Sequence, residues 1–246
     1  MKTRLGEFAQ SSLFIWAFLF FVFITHIPTG NTELLGDDFV QWGAVTLPQD
    51  LYQKGLEIAN PDNGFVDKIK NMFMFLSADS GATQQLKAYG AIPWWINDDI
   101  TMHMFRPLSS VTHWLDYQYL DKNVFAMQFH SLLYILLMAL SYFVVMRNFL
   151  SFANQPNGTV AWIPALAVAF FIFSYSVPIN FNWLCARNAF IAPIFAIWTL
   201  WFHHLWRHQN SIPYLLLSMT TMMLALLSAE AGVATCLLYT SDAADE

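Results

Sequence analysis

Charge is scarce in this chain, and cysteine is scarcer. Asp, Glu, Lys and Arg make up 11% of the 246 residues, whereas a soluble domain carries about 25%. Hydrophobic residues make up 57% and aromatic residues 17%. The net charge of −6 excludes the strongly basic surface that nucleic-acid binding needs, so we expect no nucleic-acid partner. The composition predicts a membrane protein with several spanning helices.

The sequence contains only two cysteines, Cys185 and Cys236, and each lies in an apolar stretch far from the other. Two isolated cysteines provide neither a disulfide framework nor a paired-cysteine metal site. The candidates for chemistry are therefore the few ionisable side chains.

Long apolar runs dominate what is present. A helix needs roughly 20 apolar residues to cross a hydrocarbon core of about 30 Å. The first run follows Lys2 and Arg4 and lacks a small-residue cleavage site, which predicts a signal-anchor helix with the N-terminus in the cytoplasm. The five predicted transmembrane helices span residues 11–27, 124–146, 160–177, 189–202 and 212–228.

The segment 28–123, between the first two helices, is predicted to lie outside the cytoplasm. Two of its stretches have apolar residues at helical spacing, which predicts amphipathic helices lying on the membrane. Trp94 and Trp95 suit an aromatic belt at the membrane surface. The first apolar stripe contains Phe65, Ile69, Met72, Phe73 and Leu76, and the second contains Leu108, Val111, Leu115 and Tyr119.

Apolar character stops after Leu238, where the sequence continues YTSDAADE. We expect residues 239–246 to be a non-native tail, with a genuine polar tail as the alternative. Residues 1–238 are then the N-terminal part of an all-α polytopic membrane protein, in the cytoplasmic (inner) membrane.

Most ionisable groups near the membrane fall on its outer side in this topology. His130, for example, lies about 9 Å inside the outer end of the second helix. A charge near mid-membrane costs roughly 2.5–3.5 kcal/mol on insertion, so a one-sided cluster points to function. The cluster comprises Asp37, Asp38, Arg106, His130, Arg187 and Glu230.

Each of these residues also has an ordinary explanation. The two aspartates can be solvated loop acids, and the two arginines can extend to lipid phosphates. His130 can hydrogen-bond between helices. Glu230 lies among Ala229, Ala231 and Gly232, small residues that favour tight packing, which predicts a buried and partnered acid.

Two other patterns are weaker. Ser109, His113 and Asp116 share a helix face, but a catalytic triad needs its orienting group on a separate element. His204 and His208 have the i, i+4 spacing of metal ligands. They belong to a short basic stretch that is predicted to lie at the cytoplasmic surface, where a membrane-surface turn is the simpler interpretation.

The order of these features resembles that of the membrane glycosyltransferases of the GT-C fold. The features are the acid pair after the first helix, the long outer segment, and the stretches FRPLSSVTHWLDYQYL, HSLLY, WLCARNAF and LLSAEAG. The closest look-alikes are protein O-mannosyltransferases, including those that carry tetratricopeptide repeats, and uncharacterised bacterial relatives. The resemblance covers most of residues 12–235.

The resemblance implies a GT-C-like helical bundle that transfers a hexose such as mannose. The donor would be a lipid-linked sugar, a polyprenyl phosphate, and the acceptor a hydroxyl of a protein or glycan on the extracytoplasmic face. Asp37 would act as general base with Asp38 in support, since repulsion between adjacent carboxylates can raise one pKa toward the range that a base needs. The residues implied at the donor phosphate are Arg106, Arg187 and His130, and Glu230 has no assigned role.

The chain departs from the family pattern in two places. Residues 186–188 read ARN where the family has a GRS-like segment, and Ala229 precedes Glu230 where the family has lysine. No cofactor is certain. Whether a divalent metal binds stays open, because one acid pair supplies few of the oxygen ligands that such an ion needs.

The later helices of the fold are absent, which leaves open whether this chain is active alone. Two other functions remain alternatives at this point. The first is a transporter or flippase with a charged outer vestibule, which broken helices or inverted repeats would favour. The second is a structural subunit without chemistry.

The topology predicts that the sequon Asn157-Gly158-Thr159 stays unmodified in a glycosylating eukaryotic membrane, because it lies in a predicted cytoplasmic turn. The substitution Asp99→Thr creates a matched sequon at Asn97 in the outer segment, and this one should be glycosylated. A mobility shift that a glycosidase removes measures both. Modification at Asn157 would contradict the topology.

Overall fold

The computed structural model describes residues 12–27, 33–46, 64–76, 78, 82–90, 92–121, 123–154, 157–174 and 176–235. Lys2, Arg4, Cys236 and the predicted tail 239–246 lie outside the described residues. The described part is mostly helical. In chain order its elements are α1 (Ser12–His26), α2 (Asp37–Thr46), α3 (Phe65–Asn71), β1 (Met74–Leu76), α4 (Ala82–Ala88), β2 (Met102–His103), α5 (Pro107–Tyr119), α6 (Val124–Phe152), α7 (Asn157–Ile172), α8 (Ser176–Asn182), a 3₁₀ turn (Leu184–Arg187), α9 (Asn188–Gln209), α10 (Ile212–Ser228) and a second 3₁₀ turn (Glu230–Gly232).

Two helical stretches among the described residues are long and apolar enough to cross a bilayer: Val124–Phe152, with 29 residues, and Leu184–Gln209, with 26. Helices α7 and α8 make a third span if they are treated as one helix with a break. Helices α1 and α10 are apolar but shorter. The described residues therefore contain two or three helices of membrane-spanning length, and the arrangement with five crossings stays a prediction.

Several helix boundaries differ from those predicted. The third apolar run is helical only to Ile172, and the chain bends by 54° before α8. Pro178, which follows the predicted end of the third helix at residue 177, lies in the first turn of α8, where its missing N–H is tolerated. Helix α9 continues to Gln209 and ends at Asn210, whose φ of 49° places it in the left-handed region typical of helix ends.

The chain divides into two compact units, and the first is Glu33–Val124. Its bounds lie within a few residues of the predicted outer segment 28–123. The second unit combines Met1–Thr32 with Phe125–Glu246, and side chains of α1, α6, α7, α8 and α9 form its apolar core. Central members of that core are Val22, Leu132, Ile135, Met138, Phe143, Ile172, Phe181 and Phe190.

Helices α9 and α10 form a hairpin that is joined by hydroxyl groups. Thr199 Oγ1 donates to Thr221 Oγ1 at 2.9 Å, and Ser218 Oγ donates to the carbonyl of Thr199 at 3.3 Å. Hydrogen bonds of this kind hold apolar helices together where hydrophobic burial alone does not distinguish a helix from its apolar surroundings.

The unit Glu33–Val124 is built from α2, α3 and α5, which contact one another, and from the antiparallel pair β1–β2. The strands are a small exception to the predicted all-α fold. Four of the five residues in the apolar stripe of the first predicted amphipathic helix are covered by protein inside this unit, whereas the fifth, Phe65, is exposed. The four buried residues are Ile69, Met72, Phe73 and Leu76.

Gly232 packs closely against the end of α10. A Cβ at this position would lie 2.9 Å from the carbonyl carbon of Ala225 and 3.0 Å from the backbone nitrogen of Leu226. Because backbone atoms cannot move aside cheaply, we expect Gly232→Ala to lower the free energy of unfolding by about 1–3 kcal/mol.

The matched control is Gly64→Ala, since a Cβ at Gly64 meets no atom within 4 Å. Unfolding of the two variants in detergent, followed by tryptophan fluorescence, compares them directly. Equal stability of the two would contradict the close packing at Gly232.

Candidate functional site

The acid pair lies at the start of α2, and its two members have different environments. Asp38 is fully buried. Its Oδ2 accepts a hydrogen bond from the backbone N–H of Leu35 at 3.0 Å, and its own N–H donates to the Leu35 carbonyl at 2.8 Å. Gly36, between them, has a φ of 42°, which glycine adopts without a Cβ penalty. Asp38 is therefore engaged in closing the turn that starts the helix.

Asp37 is only partly buried. Burial nevertheless raises the pKa of its carboxyl above the usual 3.8, because an apolar environment disfavours the charged form. Adjacent helical residues point about 100° apart, so Asp37 does not share the direction of Asp38. Of the two acids, Asp37 is the one that a second molecule could reach.

Polar side chains line the face of α5 that is turned into the unit. Tyr117 donates from its hydroxyl to the backbone carbonyl of Asp38 at 3.3 Å, which links α5 to the first turn of α2. Thr112 Oγ1 donates to the carbonyl of Ser109 at 2.8 Å. The buried residues on this face are Ser109, Ser110, Thr112, His113, Asp116 and Tyr117.

A series of contacts connects Arg106 to the acid pair. The guanidinium of Arg106 lies over the ring of Phe73, 5.1 Å from its centroid. Phe73 contacts His113 edge-on at 5.8 Å, and His113 stacks on Tyr117 at 6.3 Å. Tyr117 in turn binds the backbone of Asp38. One small unit thus combines the predicted base and one predicted phosphate ligand.

The same geometry disfavours the triad interpretation of α5. Ser109, His113 and Asp116 are all on the buried face, with at most 4% of each residue exposed. A nucleophile must reach its substrate, and a hydroxyl enclosed in this way does not. His113 and Tyr117 instead link Arg106 to α2. The signal that could have revealed this role was the concentration of polar residues on one face of α5.

Arg187 belongs to the other unit and is fully buried. Its Nε donates to Ser131 Oγ at 2.9 Å and its Nη2 donates to the carbonyl of Met127 at 3.0 Å. The guanidinium also lies 6.0 Å from the ring centroid of Tyr134. In this arrangement Arg187 attaches the 3₁₀ turn Leu184–Arg187 to α6, and its contact with a phosphate stays a prediction.

His130 lies on α6 in the same unit as Arg187. Its ring contacts Tyr134 with centroids 5.0 Å apart, so His130 and Arg187 share one aromatic neighbour. These two predicted phosphate ligands therefore lie near each other, while Arg106 belongs to the unit Glu33–Val124.

Glu230 is exposed, and the predicted burial of this acid is wrong. The cause is the short 3₁₀ turn after α10. Ala229, just before this turn, and Gly232, at its end, are buried, and Glu230 faces outward between them. Small neighbours permit close packing of the backbone without enclosing the acid.

A cavity of about 370 Å³ lies in the unit that contains α9 and α10. Small apolar residues form most of its wall, and none of the predicted site residues lines it. Its polar members are Tyr142, Asn188 and Thr235. Among the described residues, no three His, Cys, Asp or Glu side chains come together in a group that could hold a metal ion.

The two aspartates are expected to differ in their effect on stability. Asp38→Ala removes the carboxylate that accepts the N–H of Leu35, and the loss of a hydrogen bond to a charged group should lower the free energy of unfolding by about 1.5–3 kcal/mol. Asp37→Ala removes a half-exposed carboxyl and should have a much smaller effect. Denaturant unfolding in detergent at pH 7 measures the stability of both variants. Equal losses of stability would contradict the structural role assigned to Asp38 alone.

The pH dependence gives a second readout for Asp37. Its pKa is raised in the folded state, so its favourable contribution is present below pH 3.8 and is lost as the pH rises through the raised value. The effect is small because solvent screens a half-exposed group. Asp37→Ala should remove this part of the pH dependence, whereas Asp99→Ala, at an exposed acid of the same unit, should not.

Comparison with known proteins gives no assignment. No protein-family model, curated protein or solved structure matches the chain. The resemblance to GT-C glycosyltransferases therefore stays a prediction from the sequence.

Proposed function

We propose that the protein is a membrane glycosyltransferase that moves a sugar from a polyprenyl-phosphate donor to an acceptor hydroxyl. The observation that carries the proposal is the difference between Asp37 and Asp38. A buried Asp38 holds the turn, while the neighbouring Asp37 stays partly exposed with a raised pKa. A carboxylate with a raised pKa is a stronger base, which suits it to take a proton from a hydroxyl.

The reaction follows from the charges involved. Asp37 accepts the proton of the acceptor hydroxyl while that oxygen attacks the anomeric carbon of the donor. The bond from this carbon to the phosphate oxygen breaks, and the phosphate leaves with the electron pair, so the configuration at the anomeric carbon inverts. Negative charge develops on the leaving phosphate, and a fixed cation stabilises it.

Arg106 is the best placed of the three predicted phosphate ligands. It is in the same compact unit as Asp37, and its guanidinium is positioned by Phe73. Arginine can offer two parallel N–H groups to a phosphate. Arg187 and His130 are secondary candidates in this proposal, because both belong to the unit that does not contain Asp37.

We also propose the membrane topology that the sequence predicts. The fold is a GT-C-like bundle in the cytoplasmic membrane, with the N-terminus inside and the unit Glu33–Val124 outside. Helices of that unit lie on the membrane surface. The acceptor is a protein or a glycan.

A transporter or flippase is the second candidate, and one observation favours it. Helices α7 and α8 are separated by a bend of 54°, and broken helices form substrate sites in many transporters. Transport would move an unmodified solute or lipid, whereas the enzyme releases polyprenyl phosphate. Release of the lipid phosphate in a sealed vesicle system therefore separates the two functions.

Asp37→Asn is expected to abolish sugar transfer, because an amide cannot accept the proton. The assay uses the full chain in liposomes with short-chain polyprenyl-phosphate [¹⁴C]mannose and a peptide rich in serine and threonine as the acceptor, and it measures labelled peptide together with the released lipid phosphate. In the unsubstituted protein the rate should rise with pH through the raised pKa of Asp37, since only the carboxylate acts as base.

Asp99→Asn is the matched control, since Asp99 is an exposed acid of the same unit. It should keep the rate of the unsubstituted protein. Unfolding measurements on both variants exclude misfolding as the cause of any loss. Undiminished transfer by Asp37→Asn would refute the assignment of the base.

A further inference from the structure

Helix α5 is inverted relative to a helix of a soluble protein. Its six buried residues are mostly polar, as described above. The opposite face is mostly apolar, and none of its residues is buried. This outward face consists of Pro107, Leu108, Val111, Trp114, Leu115, Gln118 and Tyr119.

The inversion has a cost in water. Leu115 is 40% exposed and Tyr119 is 74% exposed. A large apolar side chain that stays in water forgoes the stabilisation that burial would give it, and several such residues lie side by side on α5. A face of this kind indicates a non-aqueous neighbour.

The apolar face continues onto the first turn of α3. Phe65 contacts Trp114 with ring centroids 4.9 Å apart, and Trp114 contacts Tyr119 at 6.4 Å. Phe65 is 49% exposed and Val66 is 73% exposed. We call this set the aromatic face: Phe65, Val66, Trp114, Leu115 and Tyr119.

The position of α5 in the chain identifies what covers this face. Helix α5 ends at Tyr119 and α6 begins at Val124, and five Cα steps span at most about 19 Å. The 29 residues of α6 reach about 43 Å, which exceeds a hydrocarbon core of about 30 Å. A helix that crosses such a core has both ends at or beyond the hydrocarbon boundary, so Tyr119 is tethered within about 19 Å of that boundary by the short connection to Val124.

We propose that the aromatic face lies in the lipid interface of the bilayer that α6 spans, at the boundary of headgroups and acyl chains. Tryptophan and tyrosine are enriched at this depth because each combines an apolar ring with a polar group. Asp67 and Lys70, also exposed on α3, can stay hydrated among headgroups but not in hydrocarbon. This inference does not depend on the proposed activity.

Site-directed quenching tests the proposal in the full chain. Leu115→Cys and, separately, Tyr119→Cys are labelled with NBD in a background that carries Cys185→Ala and Cys236→Ala. The protein is reconstituted in nanodiscs of phosphatidylcholine and phosphatidylglycerol. Quenching by a spin label at carbon 5 of the lipid chain is compared with quenching by aqueous iodide. Gln84→Cys, at an exposed residue on the polar α4, is the matched control.

The lipid spin label should quench the probes at 115 and 119 at least twofold more strongly than the probe at 84, and iodide should show the reverse order. Equal accessibility to iodide at 84, 115 and 119 would overturn the proposal. Protection of 115 and 119 from both quenchers would also overturn it, because the face would then be covered by protein. Exposed positions are used throughout, and fluorescence-detected size-exclusion chromatography checks that each labelled variant is folded.

Discussion

The reciprocal pair of hydrogen bonds between Leu35 and Asp38 is the constraint on which the candidate site depends. It closes a turn that requires glycine at position 36 and fixes the direction in which α2 begins. Since a buried carboxylate needs partners, Asp38 is occupied and Asp37 is left to face outward. Tyr117 then holds this turn against α5 through the backbone carbonyl of Asp38. The adjacent acids thus divide into one that maintains the structure and one that is free to titrate.

The long helices could be predicted from the sequence because a run of apolar residues restricts the chain strongly. The sequence identified α6 and α9, although both continue past the predicted ends, since Arg147 and His203 do not stop a helix as proline or glycine would. The third helix was predicted to end at residue 177, whereas α7 ends at Ile172. Pro178 did not mark this boundary, because a proline starts a helix as readily as it ends one.

Periodicity was less informative about burial. It identified two apolar stripes in the segment 28–123, and both exist, but period alone does not tell whether protein or lipid covers a stripe. The stripe with Ile69 and Phe73 is the core of the unit, whereas the stripe with Leu115 and Tyr119 faces outward. The contacts that settle this involve residues far apart in sequence, such as Phe73 with His113, so no local pattern contains them. Glu230 was misjudged for the same reason.

The inverted helix α5 also affects how the unit Glu33–Val124 can be handled. By its contacts it is a compact body, and a sequence-based dissection would select it as a soluble fragment. Its outward aromatic rings would make excised copies associate with each other in buffer, because association removes the exposed apolar surface from water. Work on this unit alone therefore calls for detergent or lipid, although no helix within it has the length to cross a membrane among the residues described.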